Sequence, residues 1–503
     1  MPTVGTTLPW VWTAAILLFG LVQVLLLAYS AHRLLTLHRW TLRSRHAGAA
    51  AMPSSPLPRV TVQLPIYNER AVVERLIDAA AALDYPRDLL QVQVLDDSTD
   101  ETTAHARSCV RDWQARGVGI ELLHRPSRAG YKAGALTAGL ERATGEILVV
   151  LDADFVPRPD FLRRIVPRFD DPHIGMVQAR WTHLNRDRST LTSAQAVMLD
   201  AHFLLEHEAR MSSGLFFNFN GTAGAWRRAC IEDAGGWTND TLTEDLDLSY
   251  RAQLRGWRFV SAADIEVPAE LPSNVLALKS QQRRWAKGSI QTARKILPTL
   301  LRGRLPAAVK LEAVMHLTAN TAYPLLLLSG LLLPAVIAVP TSLPPAIAVA
   351  LDAFAIVAGV LPVVAFLYAG QVAAGSSHPR CARDIMSALL VGAGLTVNNS
   401  LAVFGGLGPR MGDWERTPKT GESSGSAGRA AYSGRPDPAT ALELALAAVF
   451  TAVVIGAWQL GHASSVPFLL LLASGLGYVG VLSLRAARQS ETPRLEPGLE
   501  RHA

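Results

Sequence analysis

Hydrophobic and polar positions divide this chain into three regimes. From Trp10 to Ala28 there is no charged residue, a run close to the ~20 apolar residues that a membrane-crossing helix needs. Nothing basic precedes it, while Arg33, Arg39, Arg43 and Arg45 follow. A cleaved signal peptide has the opposite order. The run is predicted to remain as a membrane helix, with residues 32–50 cytoplasmic and the N-terminus outside. Between 57 and 305 charges recur every few residues and no window of membrane length is apolar. That predicts a water-facing domain large enough for its own core. Beyond it, long apolar segments return near 314–339, 344–371, 385–408, 440–460 and 465–484.

Basic residues orient the later segments. Loop 371–384 carries Arg380 and Arg383, loop 409–435 carries Arg410, Arg416, Lys419, Arg429 and Arg435, and the tail carries Arg485, Arg488, Arg494 and Arg501. All three are expected on the cytoplasmic side. Segment 385–408 lies between two such loops and holds Asn398-Asn399-Ser400, so an interfacial or re-entrant helix is expected there. The predicted organisation has a membrane helix in 1–31, a linker in 32–56 and the polar domain in 57–305. Two membrane helices follow in 306–371, cytoplasmic loops with the interfacial helix in 372–439, two more membrane helices in 440–484, and a tail in 485–503.

Within the polar domain, short apolar runs alternate with helical spacing. Val60-Thr61-Val62-Gln63-Leu64 and Val92-Gln93-Val94-Leu95 read as strands, and residues 69–83 and 100–116 as helices. Ile147 to Leu151 is continuously apolar, as expected of a strand covered on both faces. The alternation predicts a mostly parallel sheet, and ligands bind such sheets at the carboxyl ends of the strands. Three predicted strand ends carry Pro65-Ile66-Tyr67-Asn68-Glu69, Asp96-Asp97-Ser98-Thr99-Asp100 and Asp152-Ala153-Asp154. All three motifs are expected to face one crevice.

Composition adds limits. Of 503 residues, 49% are hydrophobic and 18% charged, which is apolar for a soluble protein. The net charge of +6 sits largely at the membrane edges, where anionic lipid accounts for it, so no nucleic-acid partner is expected. Cys109, Cys230 and Cys381 show no metal-ligand spacing. There is no internal repeat, and 417–438, rich in Gly, Ser and Pro, reads as a loop.

The motifs carry specific chemistry. Asp152 and Asp154 are hard oxygen donors at a turn, suited to Mg²⁺ or Mn²⁺ shared with substrate phosphates; the alternative is an Asp turn satisfied by its own backbone. Asp96 and Asp97 suit a base or ribose, while Ser98 or Thr99 suits a helix cap. Lys132, in Gly130-Tyr131-Lys132-Ala133-Gly134, is placed to meet a diphosphate or else is a solvated lysine. Thr241-Leu242-Thr243-Glu244 has the form of a capping box, opening a helix over 243–256 with Leu246, Tyr250 and Leu254 as its apolar stripe. Glu244 and Asp245 then lie in its first turn, where they favour the helix dipole or make Asp245 a general base. Gly221-Thr222-Ala223-Gly224 is small enough for close approach of an acceptor. Gln281, Arg284, Trp285 and Gly288 share one helical face; the alternative is a basic helix lying on the membrane, which suits Arg283, Lys287 and Arg294 on the other faces.

In this order and between membrane helices, Asp96-Asp97, Asp152-Ala153-Asp154, Thr243-Glu244-Asp245 and Gln281-Gln282-Arg283-Arg284-Trp285 resemble the D, D, D, Q-x-x-R-W signature of processive family 2 glycosyltransferases. Phe219 to Gly224, Asp240 to Trp257 and Ser280 to Thr292 resemble the cellulose-synthase-like A group, the glucomannan and mannan synthases, and their bacterial relatives. Arg416-Thr417-Pro418-Lys419 is similar to a cytoplasmic segment of that group. The resemblance implies an α/β catalytic domain of the GT-A type, embedded in an α-helical transmembrane bundle. It implies inverting transfer of hexose from GDP-mannose or UDP-glucose, extending and translocating a β-1,4-linked polysaccharide. Tyr67 and Glu69 would touch the base, Asp96, Asp97 and Lys132 the nucleotide and its diphosphate, and Asp152 and Asp154 the diphosphate and a Mg²⁺ or Mn²⁺ ion. Asp245, beside Glu244, would be the base. Gln281, Arg284, Trp285, Gly221 and Thr222 would meet the acceptor end and the diphosphate. Accessory export proteins are implied as partners, and a bacterial inner membrane with a cytoplasmic catalytic domain as the location. The region at Gly221-Thr222 lacks the Cys of cellulose synthase, and the tail after 484 is too short for a cyclic-dinucleotide-binding domain; these departures count against cellulose as the product and against that mode of regulation, while the motifs do not choose between mannose and glucose. A single-addition enzyme acting on a lipid, ceramide glucosyltransferase-like, and a non-catalytic transporter or scaffold are the alternatives.

Overall fold

The computed structural model describes residues 10–43, 56–338, 345–408, 421 and 437–491. Arg45, Arg416-Thr417-Pro418-Lys419 and the tail residues Arg494 and Arg501 lie outside the described residues. The polar domain is built on a seven-stranded sheet of order β3-β2-β1-β4-β6-β5-β7. The strands are β1 (Val60–Ile66), β2 (Leu90–Asp96), β3 (Ile120–His124), β4 (Ile147–Val150), β5 (Ile174–His183), β6 (Gly224–Arg227) and β7 (Arg258–Ala269). β1 pairs in parallel with β2 and β4, β2 with β3, and β5 with β7. β6 is antiparallel to both of its neighbours.

Alternation decides the two faces. Ile147 and Val149 join Val62, Leu64 and Val92 in one core; Leu148 and Val150 join Leu136, Trp226 and Leu248 in the other. The continuous apolar run 147–151 is thus a strand covered on both sides. The register pairs Ile66 with Asp96, bringing the motifs after β1 and β2 side by side.

Helices α1 (Trp10–Leu42), α2 (Val73–Ala81), α3 (Thr102–Ala115), α4 (Tyr131–Arg142), α5 (Thr190–Ala201), α6 (Glu244–Leu254) and α7 (Val275–Arg302) are followed by α8 (Ala307–Leu317) and α9 (Ala322–Ala338). Then come α10 (Pro345–Ala373), α11 (His378–Gly394), α12 (Thr396–Leu407), α13 (Pro438–Gln459) and α14 (Val466–Glu491). The expected helix 69–83 begins later, at Val73, after a turn in which the Glu69 carbonyl accepts from the N–H groups of Val72 and Val73. Neither Ser98 nor Thr99 caps α3. Ser98 Oγ instead accepts from the Asn68 N–H at 2.8 Å, tying the two strand-end loops together.

Among the described residues four helices are long and apolar enough to cross a membrane, over Trp12–Leu42, Ala319–Ile337, Ala439–Gln459 and Ala463–Arg488. These fit a membrane protein. The remaining expected span, 344–371, falls on α10, of which only the part from Gly359 to Ala373 has described side chains. Segment 385–408 is two helices, α11 and α12, bent by 52°. Ala402 and Val403 of α12 pack on Ala286 and Ile290 of α7.

Candidate active site

The carboxyl ends of β1, β2 and β4 open into one cleft. From the sheet it is lined by Tyr67, Glu69, Asp97, Asp152 and Asp154, with Lys132 from the start of α4. Gly221, Glu244 and Asp245 line its middle, and Gln281, Arg284 and Trp285 of α7 close it. Among the described residues, positive φ outside glycine occurs at Asn68, Tyr131 and Ala223. Each adjoins a lining motif, so the backbone strain collects at the site.

Two of the expected residues do not line the cleft. Asp96 is fully buried, with its oxygens on the Ser98 N–H at 2.9 Å and beside His124 Nδ1 at 3.0 Å. Thr222 Oγ1 accepts from the Asp152 N–H at 2.7 Å and so shapes the turn that carries Asp152. Asp97 is gripped by Arg125, whose Nε and Nη2 reach its two oxygens at 2.7 and 2.6 Å. This fork-to-fork geometry fixes a carboxylate more tightly than a single bond does.

Lys132 is the hinge of the charge arrangement. Its Nζ donates to Asp152 Oδ1 at 2.5 Å and to the Gly221 carbonyl at 2.9 Å. Burial pulls its pKa down, but Asp152, Glu244 and Asp245 outweigh burial and raise it. It is therefore a fixed cation at neutral pH. Burial, opposed by Lys132 and Arg284, raises the Glu244 carboxyl. Burial and the neighbouring Glu244, opposed by Lys132, push Asp245 up to about 7. A carboxyl with that value takes up a proton readily near neutral pH, which suits a general base.

The helix carrying these acids starts differently from the expected capping box. α6 begins at Glu244, and Thr243 makes no side-chain capping bond. Thr243 Oγ1 instead lies 3.2 Å from Thr292 Oγ1 of α7. A Cβ at Gly288 would stand 2.5 Å from Thr243 Cγ2, so only glycine lets the two helices meet there. Gln291 Oε1 accepts from the Leu242 N–H at 3.0 Å. These contacts dock α7 on the start of α6 and bring Arg284 and Trp285 to the cleft that holds Asp245. The stripe Leu246, Tyr250 and Leu254 packs on Ile296, Leu300 and Leu317, as its spacing predicts. Gly221, at φ +83°, brings its backbone beside Asp245: a Cβ there would lie 3.0 Å from Asp245 Oδ2 and 3.5 Å from Lys132 Nζ.

Arg283 and Arg294 do not form a lipid-facing basic surface. Arg283 pairs with Asp437 at 2.8 Å, and Arg294 donates to the Gly408 carbonyl at 2.7 Å. The protein offers both of them nearby acceptors. Sequence reasoning also missed lining residues that belong to no short motif, Arg128, Trp181, His183 and Glu270, and gave no role to Asn220. Arg128 stacks over the Tyr67 ring, 3.5 Å from its centroid. The pair of arginines in Arg125-Pro126-Ser127-Arg128, just ahead of Lys132, was the available signal for a polyanion subsite.

No group of three or more His, Cys, Asp or Glu suited to a metal occurs among the described residues. Asp152 and Asp154 supply two carboxylates to the cleft, which suits an ion that takes one or two carboxylates and completes its shell with water and substrate phosphates.

A mostly parallel sheet of this topology, with acids at three strand ends and a lysine between them, has the architecture of the GT-A fold. Residues 58–288 match the family model described as glycosyltransferase like family 2. It is 47% identical over 257 residues to glucomannan 4-beta-mannosyltransferase 2 of Arabidopsis thaliana, covering 50% of this chain and 48% of that protein. It is 43% identical over 256 residues to glucomannan 4-beta-mannosyltransferase 1 of Oryza sativa subsp. japonica, covering 50% and 49%. The chain thus spans about half the length of the curated relatives it matches. Among solved structures it is similar to the mannosyltransferase PcManGT from Pyrobaculum calidifontis in complex with GDP-Man and Mn²⁺. That likeness has a TM-score of 0.51 and 26% identity, and covers 77% of this chain and 99% of that one.

Proposed function

We propose that this chain is a membrane-bound, inverting hexosyltransferase that moves mannose from GDP-mannose onto the 4-hydroxyl of a growing β-linked glycan. The observation that carries the reading is the meeting of Asp245, Lys132, Asp152 and Asp154 with Arg284 and Trp285 in one cleft. The choice of mannose is supported by the names of the relatives, glucomannan 4-beta-mannosyltransferases, and by the GDP-Man bound in the archaeal neighbour.

In this reading Tyr67, Glu69 and Asp97 receive the nucleoside. Trp285 stacks the acceptor sugar, and Gln281 hydrogen-bonds it. Asp245 removes the proton from the acceptor 4-hydroxyl, whose oxygen attacks C1 of the donor from the face opposite the diphosphate. The C1–O bond to the diphosphate breaks in the same step, and the configuration at C1 inverts. Lys132 and Arg284 stabilise the negative charge that gathers on the departing diphosphate. Asp152 and Asp154 would hold Mg²⁺ or Mn²⁺, which supplies further charge neutralisation at the diphosphate when bound. The small backbone of Gly221 lets the acceptor chain end come close to Asp245.

We place the catalytic domain on the cytoplasmic side, because Arg33, Arg39 and Arg43 gather at the C-terminal end of the first membrane helix. The test uses the full chain in lipid nanodiscs with labelled GDP-mannose and UDP-glucose, with Mg²⁺ and Mn²⁺ compared. The expected product is label from GDP-mannose in a polymer that an endo-β-1,4-mannanase degrades. Label found only in organic-soluble lipid, or no turnover of either donor, refutes the reading.

A further inference from the structure

On the side of α7 away from the cleft lies a cluster of charges, centred on the buried Lys279, that the chemistry above does not use. Lys279 is 1% exposed, and its Nζ reaches Glu443 Oε1 at 2.8 Å and Asp437 Oδ2 at 3.0 Å. One turn later, Arg283 Nη2 reaches the same Asp437 oxygen at 2.8 Å and Asn398 Oδ1 at 2.9 Å. Asn398 in turn donates from Nδ2 to the main-chain carbonyl of Lys279 at 3.1 Å. The cluster joins three elements: α7, the bent helix α12, and the start of the membrane helix α13.

Lys279 and Glu443 are deeply buried and Asp437 is largely so, while the Arg283 side chain is 39% exposed; buried charges are costly unless each finds its partner. Such a cluster adds little net stability over apolar packing, but it tolerates only one relative placement of its members. Lys279 and Arg283, four residues apart, share one face of α7, while Gln281, Arg284 and Trp285 line the cleft. The bond from Asn398 to the Lys279 carbonyl holds α7 by its backbone, against sliding along its own axis. Displacing this face of α7 displaces Arg284 and Trp285 from Asp245 by the same amount.

We propose that Lys279 and Arg283, through Asp437, Glu443 and Asn398, are positioning residues that set the register of the acceptor-binding helix against the membrane bundle. They thereby couple sugar transfer to the placement of α12 and α13. The inference rests on the transferase reading for its kinetic consequence, but the geometry it predicts can be measured without activity.

The test uses the full chain in nanodiscs. Asp437 also caps α13, accepting from the Ala439 N–H at 3.1 Å, and Asn caps as well as Asp. Asp437→Asn therefore removes the charge and keeps the cap, and Arg283→Gln removes the other charge and keeps an amide donor. Transfer to a glycan is expected to fall about tenfold or more in each, since misplacement of about 1 Å costs up to about 100-fold. The donor KM should stay within about twofold, donor hydrolysis by water should fall less than transfer does because Lys132 still meets the diphosphate, Arg283→Lys should recover part of the loss, and the double variant should be no worse than the weaker single. A spin-label distance from R255C to K287C, in a Cys109→Ser background, should broaden in both variants. Unchanged transfer with an unchanged distance overturns the proposal. So does a parallel fall of transfer, hydrolysis and Tm with no change in distance, which is the mark of general destabilisation. If the unmodified chain turns over no donor, the transferase reading has failed, and the spin-label distance alone decides this one.

Discussion

Replacing Asp245 by Asn tests the proposed chemistry and the electrostatics of the cleft together. Asn keeps the shape and the neutral form of the carboxyl but takes up no proton. Losing a positioned base costs transfer about 10²- to 10⁴-fold, while donor binding should change little. The unmodified enzyme should also show an acid limb. With Asp245 pushed from 3.8 up to about 7, roughly half the molecules hold a free base at pH 7, and activity should drop about tenfold per pH unit below about 6. Glu244 is the second cause of that rise, after burial, so Glu244→Gln should move the acid limb to lower pH. Stability should change in the opposite sense to activity. The folded-state value lies above the unfolded one, so folding favours the protonated form. That stabilisation is fully present below about pH 3.8 and is lost as pH rises through about 7. Three units at about 1.4 kcal/mol each set a ceiling of about 4 kcal/mol. Water entering the cleft around this half-buried group reduces the ceiling, and a gain of about 1–2 kcal/mol for Asp245→Asn is expected at pH 8. The assays are initial rates of polymer formation from pH 5 to 9 and thermal melts at pH 5 and 8. A variant that polymerises at the unmodified rate, or whose melting point at pH 8 does not rise, refutes the assignment.

Other residues give separate readouts. Lys132→Met removes the cation nearest the proposed leaving group and should cut kcat about 10²- to 10³-fold with a smaller change in donor KM; an unchanged kcat counts against its role. Gly221→Ala places a methyl 3.0 Å from Asp245 Oδ2 at φ +83°, and should cost about 1 kcal/mol in a melt as well as most of the transfer activity. Gly288→Ala puts a Cβ 2.5 Å from Thr243 Cγ2; about 1–3 kcal/mol of overpacking should separate α7 from α6, read as lower Tm and lost transfer. Chelation with EDTA should weaken donor binding in calorimetry, and Mn²⁺ should restore it; donor affinity indifferent to chelation removes Asp152 and Asp154 as metal ligands.

What the sequence made legible follows from which interactions are local. β4 was readable because it is a continuous aliphatic run, which a strand buried on both faces needs, and β1 and β2 because Val and Leu alternate there with Thr or Gln. The acids at their ends were readable for the same reason, since the position of a strand end is enough to place them in a crevice. β6 was not readable: Gly224-Ala225-Trp226-Arg227 has neither alternation nor β-branched residues. It becomes a strand because β4 and β5 lie on either side of it. The capping box failed for a related reason. The Thr-x-x-Glu pattern is a statement about one turn of helix, whereas the contacts that set the start of α6 come from Gln291, Thr292 and Gly288, more than forty residues along the chain.

The same contrast separates the two faces of α7. Gln281, Arg284 and Trp285 announce a site because an amide, a guanidinium and an indole on one face are an unusual set with a shared use. Arg283 reads as part of an ordinary basic face and Lys279 carries no signal, because their partners, Asp437, Glu443 and Asn398, come from two later helices. A charge on a helix has one meaning in water and another when an acid from a membrane helix stands against it, and only the fold distinguishes them. The cleft was therefore visible from its own residues, while what holds the cleft in register with the membrane was not. On this account, substitutions on the Lys279 face should alter how often a bound donor reaches the acceptor rather than how tightly the donor binds.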